Sequence, residues 1–310
     1  MKIIYCANGD RGLECLKALL SNNLSPLLVI AHPTSDRNSI VELALHEGIS
    51  CIQPSNINDS GNVRIIAQLE PDLIILAGYG QIVKRPLIEL AKIACINLHG
   101  GKLPEYRGSS PINWSILNGE TVSACSIILV DEGIDTGDLI AEESFTIEPD
   151  DDALSIKEKT LKIFPKLLLD VLGDIEKLIV NSSKQNNADA CYYPVRQPSD
   201  GLILWDQMTD IQVHNMVRAL VRPFPGAYSY LGEDKIYFWK THLLKDTIKG
   251  VRGTVYRFKD KVVVMCANRG VQILEVQREF DNPVPATKYF TKSLARLLTS
   301  YTSRNLNEQQ

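Results

Sequence analysis

The chain has 310 residues, enough for two domains of ordinary size, and is 45% hydrophobic and 23% charged, which excludes a long disordered protein. It holds no uninterrupted apolar run of roughly 18 residues, so no segment is expected to span a membrane. Net charge is −4, but residues 201–310 carry 16 Lys+Arg against 10 Asp+Glu, leaving the first 200 residues at −10; this asymmetry reads either as a basic surface or as ordinary variation between domains.

The N-terminal MKIIYCANGDRG has too short an apolar stretch for a signal peptide and reads as the first strand (Lys2–Cys6) of a cytoplasmic protein. Leu13, Leu16, Leu19 and Leu20 mark a helix face, Pro26–Ala31 a strand, and Ile40, Leu43 and Ala44 a helix that Gly48 should end. Leu73–Ala77, Ile93–Ile96 and Cys125–Val130 are apolar runs. Continuous apolar strands separated by helices predict an α/β sheet, mostly parallel and covered on both faces. Residues 155–180 form a helical stretch in which Pro165 should introduce a kink. The polar residues 181–187 read as a surface loop or linker. Beyond Trp205 come a short helix (Val213, Met216, Val217, Leu220) and β-type runs at Ala227–Tyr230, Ile236–Trp239, Gly253–Phe258, Val262–Cys266 and Val271–Val276, which predict a small barrel. An amphipathic helix over Thr287–Tyr301, carrying Phe290, Leu294, Leu297, Leu298 and Tyr301, should close the chain. The seven cysteines are scattered and form no CxxC, which argues against a disulfide framework and a cysteine zinc site.

INLHGGKLPEYRGSSP (Ile96–Pro111) holds the densest chemistry. Ligands in open α/β sheets bind beyond the carboxyl ends of strands. Asn97 and His99 sit at such an end, and residues two apart on a strand point the same way. An amide and an imidazole together can donate to an oxygen that gains negative charge, with Gly100 and Gly101 removing side chains from the space in front. Taken alone, His99 reads sooner as a histidine bonded to a neighbouring loop than as a catalytic group. A second strand end runs into DEGIDTGDLI, where Asp131, Glu132, Asp135 and Asp138 crowd together. No metal spacing is evident, so one carboxylate facing the histidine, as orienting partner and proton relay, is preferred.

Asn97-Leu98-His99, then Leu103-Pro104-Glu105-Tyr106-Arg107-Gly108, then Asp131-Glu132-Gly133-Ile134-Asp135-Thr136-Gly137 resemble the folate-dependent formyltransferases. The similarity runs through the whole chain, and Arg218–Trp239 looks closer to the sugar-nucleotide N-formyltransferases, including the formyltransferase half of the enzyme that modifies UDP-4-amino-arabinose. The resemblance implies a Rossmann-like formyltransferase domain over 1–185, a linker over 186–204 and an OB-like barrel domain over 205–310. It implies 10-formyltetrahydrofolate as donor, no metal, and Asn97, His99 and Asp135 as the catalytic trio. It further implies that Gly80, Gln81, Ile82 and Val83, with Asp131, Glu132, Gly133 and Ile134, hold the pterin through backbone groups, and that the enzyme is a homodimer.

The acceptor implied is a nucleotide-linked amino sugar (UDP or dTDP) used in cell-surface polysaccharide synthesis. Gly100, Gly101, Lys102, Tyr106, Arg107 and Trp114 are its candidate contacts. Lys102 and Arg107 flank the site as cations, and Ser109-Ser110-Pro111 reads as a capped helix start that could meet phosphate. Arg107 as a structural residue and Trp114 as a core residue remain open readings. The alternative acceptor is methionyl-tRNA. Binding tRNA needs basic surface, and the resemblance gives tRNA enzymes a long, basic, glycine-rich loop after the second strand. Here that region, AHPTSDRNSIVELALHEG, is short, with one cation, Arg37. No nucleic-acid partner is therefore expected, although the basic excess of the second half points the other way.

Overall fold

The computed structural model describes residues 1–33, 38–258 and 260–291, and the backbone of 296–297. The chain forms two compact units, Met1–Pro111 with Val122–Thr146 and Lys157–Pro194, and Ile112–Thr121 with Ile147–Ile156 and Val195–Gln310.

The first unit is a seven-stranded sheet. In chain order its elements are β1 (Ile3–Ala7), α1 (Gly9–Ser21), β2 (Leu28–Ala31), α2 (Ser39–His46), β3 (Ser50–Ile52), α3 (Ser60–Leu69), β4 (Leu73–Ala77), α4 (Arg85–Ile88), β5 (Ala94–His99), β6 (Arg107–Gly108), α5 (Pro111–Leu117, continuing into the second unit), β7 (Val122–Leu129), β8 (Leu139–Thr146), α6 (Ala153–Gly173), α7 (Ile175–Val180) and β9 (Tyr192–Tyr193). The sheet order is β3-β2-β1-β4-β5-β7-β8. Its first five strands are parallel. Every residue of β1, β2 and β4 is buried, because apolar clusters cover both faces. The sheet departs from parallel at β7 and β8, which form an antiparallel hairpin beside β5. β8 closes the edge with half-exposed and exposed residues, among them Glu142 and Glu143, charges of the kind that discourage edge-to-edge pairing.

Local chemistry sets the helix ends. Asn38 caps α2 by accepting from Ile40 N at 3.1 Å, and Gly48, at φ +70°, follows its end. α6 continues through Pro165 rather than breaking there.

The second unit carries α8 (Asp210–Ala219), whose Thr209 and Gln212 form a reciprocal capping box. Around it run β10 (Ala227–Leu231), β11 (Asp234–His242), β12 (Thr254–Phe258), β13 (Lys261–Met265), β14 (Gly270–Arg278), β15 (Val284–Pro285), α9 (Ala286–Tyr289) and β16 (Arg296–Leu297). They build an antiparallel sheet in the order β10-β11-β14-β13-β12-β16, with β15 on β14. Trp205 is buried edge-on to Phe238, its indole N–H donating to Ser229 Oγ. The single closing helix expected over Thr287–Tyr301 is corrected here. α9 ends at Tyr289, Phe290 is buried beside it, and Arg296–Leu297 pair with β12 as a strand. Strand pairing satisfies the free edge of β12, a pull that a helical reading of the apolar spacing cannot register. Leu294, Leu298 and Tyr301 lie outside the described residues.

Candidate active site

β5 supplies the first two groups. Ile96 and Leu98 face one apolar cluster and Cys95 the other, so Asn97 and His99 continue the Cys95 face. His99 is buried, and its Nε2 lies 2.6 Å from the Tyr106 carbonyl. A carbonyl only accepts, so Nε2 carries the proton and Nδ1 is the nitrogen that faces the site.

Asp135 completes the group. β7 runs antiparallel to β5, pairing Leu129 with Ile96 and Ile128 with Asn97, so at Leu129 the chain has already passed the level of Asn97. The loop after Val130 brings it back. Asp131 Oδ1 accepts from Gly133 N at 3.0 Å and from Thr136 Oγ1 at 2.5 Å, closing a tight turn. Asp135 takes a left-handed φ of +54°, a conformation that costs a non-glycine residue about 1–2 kcal/mol. Gly137 packs so closely that a Cβ there would lie 1.8 Å from the Leu129 carbonyl oxygen. The Asp135 carboxylate thereby meets three groups. Oδ1 accepts from Asn97 Nδ2 at 3.2 Å, Oδ2 accepts from Gly108 N at 2.9 Å, and Oδ2 lies 3.4 Å from His99 Nδ1. The three predicted polar groups therefore converge on one small volume.

In the neutral form, with Nε2 protonated, Nδ1 presents a lone pair to a carboxylate oxygen. Two acceptors facing each other leave room for one proton between them. Burial pushes the His99 pKa below its ordinary value, while Asp135 and the Tyr106 carbonyl push it back up and Arg11 pushes it down. Arg11 was not foreseen as part of the site. Its Nη1 donates to the Leu98 carbonyl at 2.8 Å, and its guanidinium lies over Phe164.

The remaining candidates divide. A Cβ at Gly100 would sit 2.5 Å from Arg11 Nη2, and one at Gly101 2.6 Å from Pro111 Cβ and 3.1 Å from His99 Nε2. Both glycines therefore admit protein neighbours. Lys102 pairs with Glu105 at 2.6 Å near the surface. Tyr106 is buried and stacks on Tyr193. Arg107 is 1% exposed and donates to Gln185 Oε1, the Tyr192 hydroxyl and Asn187 Oδ1. Ser110 has φ +55°, and the helix it precedes, α5, is seven residues long. Trp114 belongs to the second unit, with Arg196 over its ring at 4.9 Å.

The predicted pterin loops have features that suit a flat heterocycle with a polar edge. Ile82 and Ile134 are 69% and 54% exposed, and the Tyr79 hydroxyl is buried with no hydrogen-bond partner among the described residues. The Gln81 side chain is tied to Ile57 N and the Pro54 carbonyl, and the Val83 side chain is buried, so these two can offer only backbone groups. Gly80 lies against the His32 ring, and Glu132 is exposed. No cluster of metal-ligating side chains occurs among the described residues.

Residues 19–172 match the formyl transferase family and residues 196–294 its C-terminal domain. The chain is 30% identical to a methionyl-tRNA formyltransferase of Caldanaerobacter subterraneus, covering 93% of this chain and 96% of that protein. It is 32% identical to the bifunctional polymyxin resistance protein ArnA of Wigglesworthia glossinidia brevipalpis, covering 89% of this chain and 43% of that longer protein. Its fold resembles the N-formyltransferase of Helicobacter canadensis solved with folinic acid and dTDP-3-aminofucose, with a TM-score of 0.67 at 20% identity over 90% of this chain and 99% of that one. The chain belongs to the formyl transferase family. It is a folate-dependent formyltransferase, with 10-formyltetrahydrofolate as its one-carbon donor.

Because the folded-state His99 pKa lies below its ordinary value near 6.5, the folded state binds fewer protons than the unfolded chain between those values. Stability should fall as pH drops through about 6.5 toward the folded value. Between about pH 7.5 and 5.5 the wild-type Tm should therefore fall further than that of His99→Gln. Equal falls would contradict the burial of a neutral imidazole.

Proposed function

We propose that this enzyme moves the formyl group of 10-formyltetrahydrofolate onto the primary amine of a nucleotide-linked amino sugar. The convergence of Asn97, His99 and Asp135 carries the mechanism. The donor supplies an electrophilic formyl carbon. Asn97 spends one of its two amide N–H groups on Asp135, and the other serves the oxygen that gains charge when the amine attacks. The His99–Asp135 pair takes the proton the amine sheds, sharing it between Nδ1 and Oδ2. As the amide forms, that proton passes to the departing folate nitrogen. The sum is an N-formyl sugar and tetrahydrofolate, with protons balanced.

Three observations support the sugar acceptor. β2 and α2 are joined by residues 32–38 alone, with Arg37 the one Lys or Arg in that link, where a long basic loop would favour tRNA. The first 200 residues are strongly acidic, a poor match to a polyanion. Lys102 is half-exposed beside Glu105, a cation that a nucleotide phosphate can engage. Methionyl-tRNA is the second reading, favoured by the 30% identical methionyl-tRNA formyltransferase that aligns over nearly the whole chain. A homodimer with an OB-like second domain, acting in the cytoplasm in cell-surface polysaccharide synthesis, belongs to the same proposal.

Offered 10-formyltetrahydrofolate with a panel of UDP- and dTDP-linked 3-amino and 4-amino sugars and Met-tRNA, the enzyme should formylate a sugar. Transfer to the tRNA alone would overturn the acceptor assignment. With the accepted substrate, Asn97→Ala, His99→Ala and Asp135→Ala should each lower kcat by about 100-fold or more, and normal rates in all three would refute the catalytic roles.

A further inference from the structure

The polar stretch at 181–187 does more than connect. Its start is tied to β8, with Ser183 and Leu139 exchanging backbone hydrogen bonds at 2.8 and 2.9 Å. Two residues on, Gln185 reaches the loop that carries Asp135. Its Nε2 donates to the Asp135 carbonyl at 2.9 Å and to the Gly137 carbonyl at 2.7 Å. Both amide protons are thus spent on the backbone flanking Thr136. Its Oε1 accepts from Arg107 Nε at 2.9 Å, and the Tyr192 hydroxyl and Asn187 Oδ1 hold the rest of that guanidinium. Arg107 opens β6, whose next residue, Gly108, donates its backbone N–H to the Asp135 carboxylate.

We propose that Gln185 is a positioning residue for formyl transfer, clamping the Asp135 backbone in its left-handed turn so that the carboxylate stays against His99 and Asn97. This rests on the reading of those three residues as the catalytic group. Four observations converge on it: a non-glycine residue at φ +54°, two carbonyls bonded by one side chain, a buried arginine that fixes that side chain's other end, and the adjacent β6 backbone bonding the same aspartate. Without the two N–H donors the turn can relax, and Oδ2 leaves Nδ1. Substrate contacts remain, so the loss falls on turnover rather than on binding.

The test compares wild type with Gln185→Met, which keeps the length of the side chain without its donors, and Gln185→Glu, which keeps an acceptor for Arg107 but sets an oxygen against two carbonyls. The acceptor used is whichever compound of the panel is formylated, so a wrong acceptor assignment and a failure of this inference register separately. Both variants should lose about tenfold or more in kcat, with KM for donor and acceptor within about threefold, and the acid limb of the pH–rate profile should move. In an Asp135→Asn background, Gln185→Met should cost less than about twofold in single-turnover product formation. Thermal melts and donor binding establish that each variant is folded. Should Gln185→Met fail to fold, Gln185→Asn, a shorter amide, takes its place. Wild-type kcat and an unmoved pH profile in folded variants would overturn the proposal, as would an equal loss with and without the Asp135 carboxylate.

Discussion

One geometric constraint governs the site: the Asp135 carboxylate must be carried back from beyond the end of an antiparallel strand to the level of Asn97 and His99. A parallel strand in the place of β7 would deliver its following loop to the correct end of the sheet directly. β7 runs the other way, so the return is made by a turn that closes on Asp131, accepts a left-handed residue at 135 and packs Gly137 against the Leu129 carbonyl. The strain of that turn is offset by hydrogen bonds from Asn97, Gly108 and Gln185, which is how strained backbone persists at functional sites.

The same packing decides the protonation chemistry. The Tyr106 carbonyl fixes a proton on His99 Nε2, and burial disfavours the doubly protonated ring. What remains at Nδ1 is a vacancy shared with a carboxylate. Arg11 and the buried Arg107 set the surroundings: one braces the end of β5 at the Leu98 carbonyl, the other the loop through Gln185. Gly100 and Gly101 are small because Arg11, Pro111 and His99 crowd them.

Much of this was legible in the residues. Period-two placement of Asn97 and His99 on an apolar strand sets an amide beside an imidazole, and an Asp-Gly-rich turn thirty-odd residues later offers four acids; the family resemblance, not the spacing, singles out Asp135 among them. The apolar runs likewise give the parallel core of the first sheet. Strand direction at β7 was not legible, because an apolar run reads the same in both senses. The roles of Arg107 and Gln185 were hidden for a related reason: they depend on contacts between segments about fifty (Gln185 to the Asp135 loop) and about eighty (Arg107 to Gln185, Asn187 and Tyr192) residues apart in sequence, and a polar stretch such as 181–187 looks identical whether it is a solvated loop or a clamp. The tail departs from the expected helix because apolar spacing of that kind can equally serve a short strand that pairs with an open edge.

The central claim is that one proton is shared between His99 Nδ1 and Asp135 Oδ2. Nitrogen-15 NMR of the His99 imidazole across pH, in wild type and Asp135→Asn, tests it directly. Nε2 should stay protonated throughout, Nδ1 should be the nitrogen that titrates, and removing the carboxylate should lower its pKa. A ring that titrates at Nε2, or a titration that Asp135→Asn leaves unmoved, would contradict it.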